Sequence, residues 1–277
     1  MITMEKVRMI LQAAGIAAAE HEAREVVAAA EAQGGGEVRA IEMAEQRAKG
    51  TPLAYLVRRQ KFMGVDLYID PGALVPRDET ELLGRTAVRL LRETNGTRAI
   101  DICCGSGNLA CAIAVELPRV AFWASDLTDG CVRVSRQNVR NLGLESRVHV
   151  HQGDLFTALT GLGLEGTIDA VVCNPPYISS GRLGKDRAVL LEHEPREAFD
   201  GGPFGLSIHQ RVVKDALSFL KPGGWLVFEI GLGQHKQVKI LLDRAHAYGE
   251  VRTECDAEGN PRVVYAQRIA ESGTAVT

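Results

Sequence analysis

The 277-residue sequence contains no CxxC pair, no long apolar run, no strong excess of one charge, no internal repeat and no low-complexity tail. Its six cysteines (Cys103, Cys104, Cys111, Cys131, Cys173 and Cys255) form no Cys/His cluster with zinc spacing. A structural zinc centre is thereby excluded. A chain of this length buries a core without staples, so the thiols read as free and the compartment as reducing. No apolar stretch approaches the roughly 20 residues of a membrane span. The nearest imitation of a secretory leader is Met9 to Ala19 behind Lys6 and Arg8, but Glu5, Gln12 and the downstream thiols favour the first helix of a cytoplasmic protein. The net charge of -3 provides no basic field for holding nucleic acid, and no membrane partner is expected. His149 and His151 share one face of an expected strand but lack a third ligand, so no metal is expected. What is present is globular: 45% hydrophobic and 24% charged residues, enough for one large domain or two ordinary ones.

Residues 1–50 are rich in Ala and Glu, and 4–32 and 37–49 read as helices separated by Gly34-Gly35-Gly36, with Ile10, Leu11, Val26, Val27, Ile41 and Met43 as apolar faces. Residues 51–79 carry Tyr55, Leu56, Phe62, Gly64, Val65, Leu67, Tyr68 and Ile69, the pattern of a short β-hairpin linker. In 80–277 strands alternate with helices. Strands are expected at Arg98–Ile102, Val120–Asp126, Arg147–His151, Ile168–Cys173, Trp225–Ile230 and Arg262–Gln267. Helices are expected at Asn108–Glu116, Asp129–Asn141, Ser207–Leu220 and Gln234–Ala247, with a turn at Pro222-Gly223-Gly224. Such alternation predicts an α/β fold whose mostly parallel sheet is covered on both faces.

Asp101-Ile-Cys-Cys-Gly105-Ser-Gly107-Asn-Leu-Ala110 joins the first of these strands to a helix. Glycines there let a ligand approach the backbone and the helix N–H groups. Gly105-x-Gly107-x-x-Ala110, with Asp126 19 residues beyond Gly107, also satisfies a loose dinucleotide fingerprint, so a nicotinamide-dependent dehydrogenase has to be weighed. The Asp101 charge would repel a pyrophosphate, whereas the ammonium and sulfonium of S-adenosyl-L-methionine favour a nearby carboxylate. The expected cofactor pocket is lined by Asp101, Cys103, Cys104, Gly105, Ser106 and Gly107. Asp126, with Leu127 beside it, is placed for the ribose hydroxyls, and Asp129 for capping the next helix. Asp154 is placed for the adenine amino group and Leu155 for covering its ring.

Asn174-Pro175-Pro176-Tyr177 directly follows the fourth strand. If that strand neighbours the first, the tetrapeptide faces the glycine loop. Its chemistry suits a planar NH2 on an sp2 carbon. The Asn174 side-chain oxygen and the Pro175 carbonyl each accept one hydrogen bond, so the nitrogen lone pair can be aimed at an electrophilic methyl group. Pro175 and Pro176 stiffen the turn, and Tyr177 packs against the substrate plane. No general base is needed before attack, and catalysis is alignment and proximity.

At this point the sequence resembles the HemK/PrmC family of protein-(glutamine-N5) methyltransferases, which modify peptide chain release factors. The likeness runs from about Pro52 to Arg268. Pro52-Leu-Ala-Tyr55 with Phe62-Met-Gly64 is similar to the family's linker. Leu74-Val-Pro-Arg77-Asp-Glu-Thr80-Glu81 is similar to the signature entering its catalytic domain, which implies Arg77 and Thr80 near the site mouth, Arg77 with a role in substrate binding. The two loops follow in the family's order, and after them Glu194-Pro195 with Ala198, Asp200-Gly-Gly202, Gly205-Leu206, Pro222-Gly-Gly224, Glu229-Ile-Gly231 with Gln234, and Asn260-Pro-Arg-Val-Val264. The resemblance implies a seven-stranded class I methyltransferase fold behind a small helical front domain, with Asn174 and Pro175 holding a glutamine amide. The chain departs from the family at Cys103, where the loop usually has glycine, at Val57-Arg58-Arg59 and Lys61 in the linker, and in a short front region.

The leading acceptor is therefore a release-factor glutamine. The alternatives are a nitrogen of a small metabolite or peptide, adenine-N6 in DNA, which asks for the same acceptor pair, and a binding module that retains cofactor without catalysis. Among smaller signals, Glu229 in an apolar strand requires a hydrogen-bonded partner and reads as a structural anchor. Cys103 and Cys104 read as small packing residues. Arg182, Lys185 and Arg187 read as a substrate lid or an exposed connection, and Glu192 and His193 beside Glu194 as a solvated loop.

Overall fold

The computed structural model describes residues 2–185 and 194–270. Arg187, Glu192 and His193 lie outside the described residues. Three helices open the chain: α1 (Ile2–Ala13), α2 (Ala19–Ala32) and α3 (Gly36–Ala48). Val7, Leu11, Ala23, Val26, Ala30, Met43 and Ala44 form their common core, and the many alanines let the helices approach closely. A two-pronged pair from Arg47 to Glu22 (Nε–Oε2 2.6 Å, Nη2–Oε1 3.1 Å) ties α3 to α2. The single helix expected over 4–32 is two helices. Gly15 takes φ +74°, and Gly15 N and Ile16 N donate back to Gln12 and Leu11, which closes α1 with a left-handed cap.

A short helix α4 (Leu53–Val57) adds Leu56 to the front core and leads to the hairpin of β1 (Arg59–Phe62) and β2 (Val65–Tyr68). Its two-residue turn is Met63-Gly64, both at positive φ, which matches the right-handed twist of paired strands. Phe62, Val65, Leu67 and Ile69 are buried in the same apolar cluster as the main sheet, so the hairpin is packed rather than a free tether. Met63 N donates to Glu81 Oε1 at 2.6 Å, bringing two of the quoted motifs together.

Helix α5 (Glu81–Glu93), unforeseen in the sequence, precedes β3 (Arg98–Ile102). Then come α6 (Asn108–Glu116), β4 (Ala121–Asp126), α7 (Asp129–Asn141), β5 (Val148–Gln152) and β6 (Ile168–Cys173). They are followed by α8 (Ser180–Lys185), α9 (Ser207–Phe219), β7 (Leu220–Glu229), α10 (His235–Ala245), β8 (Arg252–Cys255) and β9 (Pro261–Gln267). The seven main strands lie in the order β5-β4-β3-β6-β7-β9-β8, all parallel except β9, which runs antiparallel to both neighbours. β8 is an edge strand without apolar alternation, which is why the sequence does not reveal it. Pro222-Gly223-Gly224 makes a bulge inside β7, where pairing with β6 passes from Ile168↔Leu220 to Ala170↔Trp225.

β6 is buried on both faces. Ala170 and Val172 join the cluster under α5 and α6, while Val171 and Cys173 join Val212, Val213, Phe228 and Val238 under α9 and α10. Strand order reverses between β3 and β6, and their register pairs Ile102 with Cys173. The glycine loop and the Asn-Pro-Pro-Tyr turn therefore leave the sheet side by side at its switch point.

Candidate active site

Two cavities meet at these strand ends. The first, about 400 Å³, is walled by Cys103, Cys104, Gly105, Ser106, Asp126, Leu127, Asp154, Leu155 and Asn174, among others. The second, about 1000 Å³, is walled by Tyr177, Phe204, Glu229, Leu232, Gln234 and Arg262 among others. Leu74, Arg77, Asn174 and Ala198 belong to both walls. Asn174 stands on the partition.

The glycine loop is held from beneath. Gly105 N donates to Asp126 Oδ2 at 2.9 Å, and Thr128 N donates to Asp126 Oδ1 at 3.2 Å. The Thr128 hydroxyl also donates to Asp126 Oδ1 at 3.4 Å, so Oδ2, with one bond, is the carboxylate oxygen with a lone pair to spare. Thr128, not Asp129, caps α7: its hydroxyl accepts from Cys131 N at 3.3 Å. Serine and threonine reach this bond with a β-region backbone, which Thr128 has, whereas Asp129 is already the first helical residue. Fully buried Asn138 donates to the carbonyls of Ser106 and Tyr68, fastening the loop to the hairpin.

Asp101 and Gly107 stand behind the cavity wall. Gly107 (φ +76°) is pressed so close to α7 that a Cβ would lie 2.4 Å from Ser135 Oγ. Asp101 is fully buried; its Oδ2 accepts from Ala110 N at 3.1 Å, and its Oδ1 has no hydrogen-bond partner among the described residues. Burial pushes its pKa up to about 8, with nearby Asp126 adding to the shift against the Ala110 bond. Asp154 is half-exposed and paired with Arg211 at 2.7 Å, and Leu155 sits at φ +50°. Burial also raises the Cys104, Cys111, Cys131 and Cys173 thiols, which suits packing rather than nucleophilic roles.

The Asn-Pro-Pro-Tyr turn is held by residues far away in sequence. Asn174 Nδ2 donates to Thr80 Oγ1 at 3.1 Å. No described donor is bonded to Asn174 Oδ1 or to the Pro175 carbonyl. The Tyr177 carbonyl accepts from Gln234 Nε2 at 3.0 Å, and Gln234 Oε1 accepts from Gly231 N at 2.8 Å. Gly201 and Gly205 back the turn at contact distance: a Cβ at Gly201 would lie 2.7 Å from Pro176 O, and one at Gly205 2.3 Å from Tyr177 O. Scattered motif residues thus form one cradle, which spacing along the chain does not reveal.

Glu229 finds the partners its burial demands, accepting from Tyr177 Oη at 3.2 Å and from Arg262 Nη2 at 3.4 Å. Burial raises its pKa, against the opposing influence of the Thr80 hydroxyl, Arg262 and Tyr177. Glu194 is also buried, accepting from Val75 N at 3.1 Å and Arg77 Nη2 at 2.5 Å. Arg77 is thereby fixed where the cavities join. Arg182 lies on the second cavity. His149 is remote, its ring 5.8 Å from that of Trp123 on the neighbouring strand.

Residues 80–192 match the family model described as methyltransferase small domain. The release factor glutamine methyltransferase of Moorella thermoacetica is 37% identical over 227 residues, 82% of this chain and 78% of its own. That of Gloeobacter violaceus is 37% identical over 77% of this chain and 73% of its own. Among solved structures, the catalytic domain of hMettl16 superposes with a TM-score of 0.56 at 18% identity, covering 85% of this chain and 82% of that one. A methyltransferase from Pyrococcus furiosus gives 0.52 at 15% identity, over 84% and 98%. These structures show the class I methyltransferase fold, and the sequence relatives show that the chain is an enzyme belonging to the release factor glutamine methyltransferase family.

Proposed function

We propose that this chain transfers a methyl group from S-adenosyl-L-methionine to the side-chain amide nitrogen of a glutamine in a peptide chain release factor. The observation that carries the reading is Asn174 on the partition between two cavities, its NH2 end engaged by Thr80 and its oxygen unoccupied. The first cavity suits the cofactor. Asp126 Oδ2 has acceptor capacity left for a ribose hydroxyl, Asp154 and Leu155 border the adenine end, and Gly105, where a Cβ would meet nothing, leaves the loop open to a close approach. When bound, S-adenosyl-L-methionine supplies an electrophilic methyl group on a sulfonium.

The chain's own residues then align the acceptor. Asn174 Oδ1 and the Pro175 carbonyl accept the two N–H bonds of a primary amide, fixing its plane and its lone-pair direction. Tyr177, its hydroxyl held by Glu229, walls the acceptor side. No residue has to remove a proton first, since the nitrogen becomes acidic on methylation and loses its proton afterwards. The second cavity is at the upper end of small-ligand sites and flanked by Phe204 (85% exposed) and Leu232 (63% exposed), which favours a protein loop over a metabolite. We assign residues 1–50 to a front domain, 51–79 to a linker and 80–277 to catalysis. The free thiols and such a substrate favour a cytoplasmic reaction; among the described residues no helix is long and apolar enough to cross a membrane.

The test is methyl transfer from labelled cofactor to purified release factor and to its Gln→Ala variant. Transfer that requires the glutamine is expected. An enzyme that binds cofactor yet labels neither form sinks the reading, and equal labelling of both moves the acceptor elsewhere.

A further inference from the structure

A primary carboxamide has two ends of similar size and opposite hydrogen-bonding character. If the Asn174 side chain turned over, it would present NH2 to the NH2 of an incoming amide, donor against donor, and the site would bind without aligning. Something must therefore choose the end. Thr80 is the group placed to do so. It is 2% exposed, ends the 3-10 turn Asp78–Thr80 and is pinned by Thr80 N donating to Arg77 O at 3.1 Å; from there its Oγ1 takes Asn174 Nδ2 at 3.1 Å, across 94 residues of sequence.

The bond is one-directional at the Asn174 end: an amide NH2 can only donate, so in this pair Thr80 Oγ1 is the acceptor. A hydroxyl has two lone pairs and a proton that turns about the Cβ–Oγ1 bond, so it can accept from Nδ2 while its proton points away from Asn174.

Resting on the methyl-transfer reading above, we propose that Thr80 is a positioning residue that selects the orientation of the Asn174 carboxamide, holding its NH2 end so that the oxygen end meets the acceptor nitrogen. The threonine methyl is not required for this, and the hydroxyl is.

The experiment compares wild type with Thr80→Val, which keeps shape and removes the hydroxyl, and Thr80→Ser, which keeps the hydroxyl. With release factor as acceptor, Thr80→Val should lower kcat by at least about tenfold, the scale of one lost hydrogen bond. KM and cofactor affinity should stay within about twofold. Thr80→Ser should retain kcat within about threefold, and its retained fold covers the case in which the valine variant fails to fold. A Thr80→Val enzyme with wild-type kcat, or a Thr80→Ser enzyme as impaired as Thr80→Val, overturns the proposal.

A second measurement needs no acceptor. In protein labelled with 15N-asparagine, the side-chain NH2 signal that disappears in Asn174→Asp should exchange slowly with solvent in wild type and Thr80→Ser, and at least about tenfold faster in Thr80→Val. Equal exchange in all three overturns the proposal even if the acceptor is not a release factor. Wild-type enzyme that labels no release factor, while showing the exchange difference, overturns only the acceptor reading.

Discussion

The loop after β3 and the turn after β6 leave adjacent strands of the same sheet, yet they are built in opposite ways. The β3 loop is shaped by its backbone: Cys103, Gly105 and Gly107 all have positive φ (+59°, +54° and +76°), and Cys103, Cys104, Gly105 and Ser106 line the first cavity. The β6 turn has no positive φ at Asn174, Pro175, Pro176 or Tyr177. It is stiffened by prolines and held by side chains from elsewhere, through Thr80, Gln234 and Glu229. A loop defined by its backbone path tolerates exchange of side chains as long as that path holds. A site made of one carboxamide and its supports does not. That is how Cys103 can replace a usual glycine while Asn174 keeps its surroundings intact.

The sharpest way to break this contrast is at Asn174. Asn174→Ala should reduce methyl transfer by roughly 10²–10³-fold, the cost of removing one preorganised polar contact to the reacting group. Cofactor affinity, measured by calorimetry, should remain within about twofold, because the first cavity keeps its other walls. Loss of cofactor binding instead would mean that the partition is not a partition. Asp126→Ala is the reciprocal case. It removes the acceptor of Gly105 N and the proposed ribose contacts, so cofactor affinity should drop by about 10–100-fold. Once cofactor is saturating, kcat should recover to within a few-fold of wild type.

The sheet and both loops could be read from sequence because their signals are local. β3, β4 and β6 are short, mostly apolar and β-branched or aromatic runs, largely buried, and each leads into a chemically distinctive turn, as central parallel strands do. The supports could not be read that way. Thr80 meets Asn174, Gly205 meets Tyr177 and Asn138 meets the hairpin over separations of 94, 28 and 70 residues, and nothing in their neighbours' chemistry announces it. Gly15 was visible, but its alanine-rich flanks hide a chain reversal that only packing of α1 on α2 and α3 requires. Its position in the sequence suggests an Asp101 carboxylate facing the cofactor, whereas in the fold it is fully buried and accepts from Ala110 N at the start of α6.

Asp101 gives the next prediction. Its folded pKa of about 8 lies far above the roughly 3.9 of an unfolded aspartate, so the folded chain keeps a proton that the unfolded chain releases. The group's contribution to stability is therefore fully present below about pH 4 and declines as pH rises toward 8. Asp101→Asn, which cannot ionise, should flatten that decline in urea midpoints followed from pH 5 to 8 without cofactor. Parallel slopes in the two proteins would show that the carboxylate is already ionised beneath the loop.

The smallest effect is expected at Cys103, and its smallness is informative. A non-glycine residue at φ +59° carries about 1–2 kcal/mol of strain that glycine would not. Cys103→Gly relieves it but adds about 0.4–1 kcal/mol of unfolded-state entropy and forfeits part of the packing of Cys103 against the apolar cluster below. These terms oppose one another, so stability should lie within about 1 kcal/mol of wild type, with cofactor affinity unchanged within about twofold. Gly107→Ala, four residues on, has no such compensation: φ is +76° and the new Cβ would meet Ser135 Oγ at 2.4 Å. It should cost more than about 2 kcal/mol by denaturant unfolding. If both substitutions prove equally mild, the loop is less dependent on its backbone path than its φ values imply, and the difference between the two halves of the site narrows to the support of Asn174.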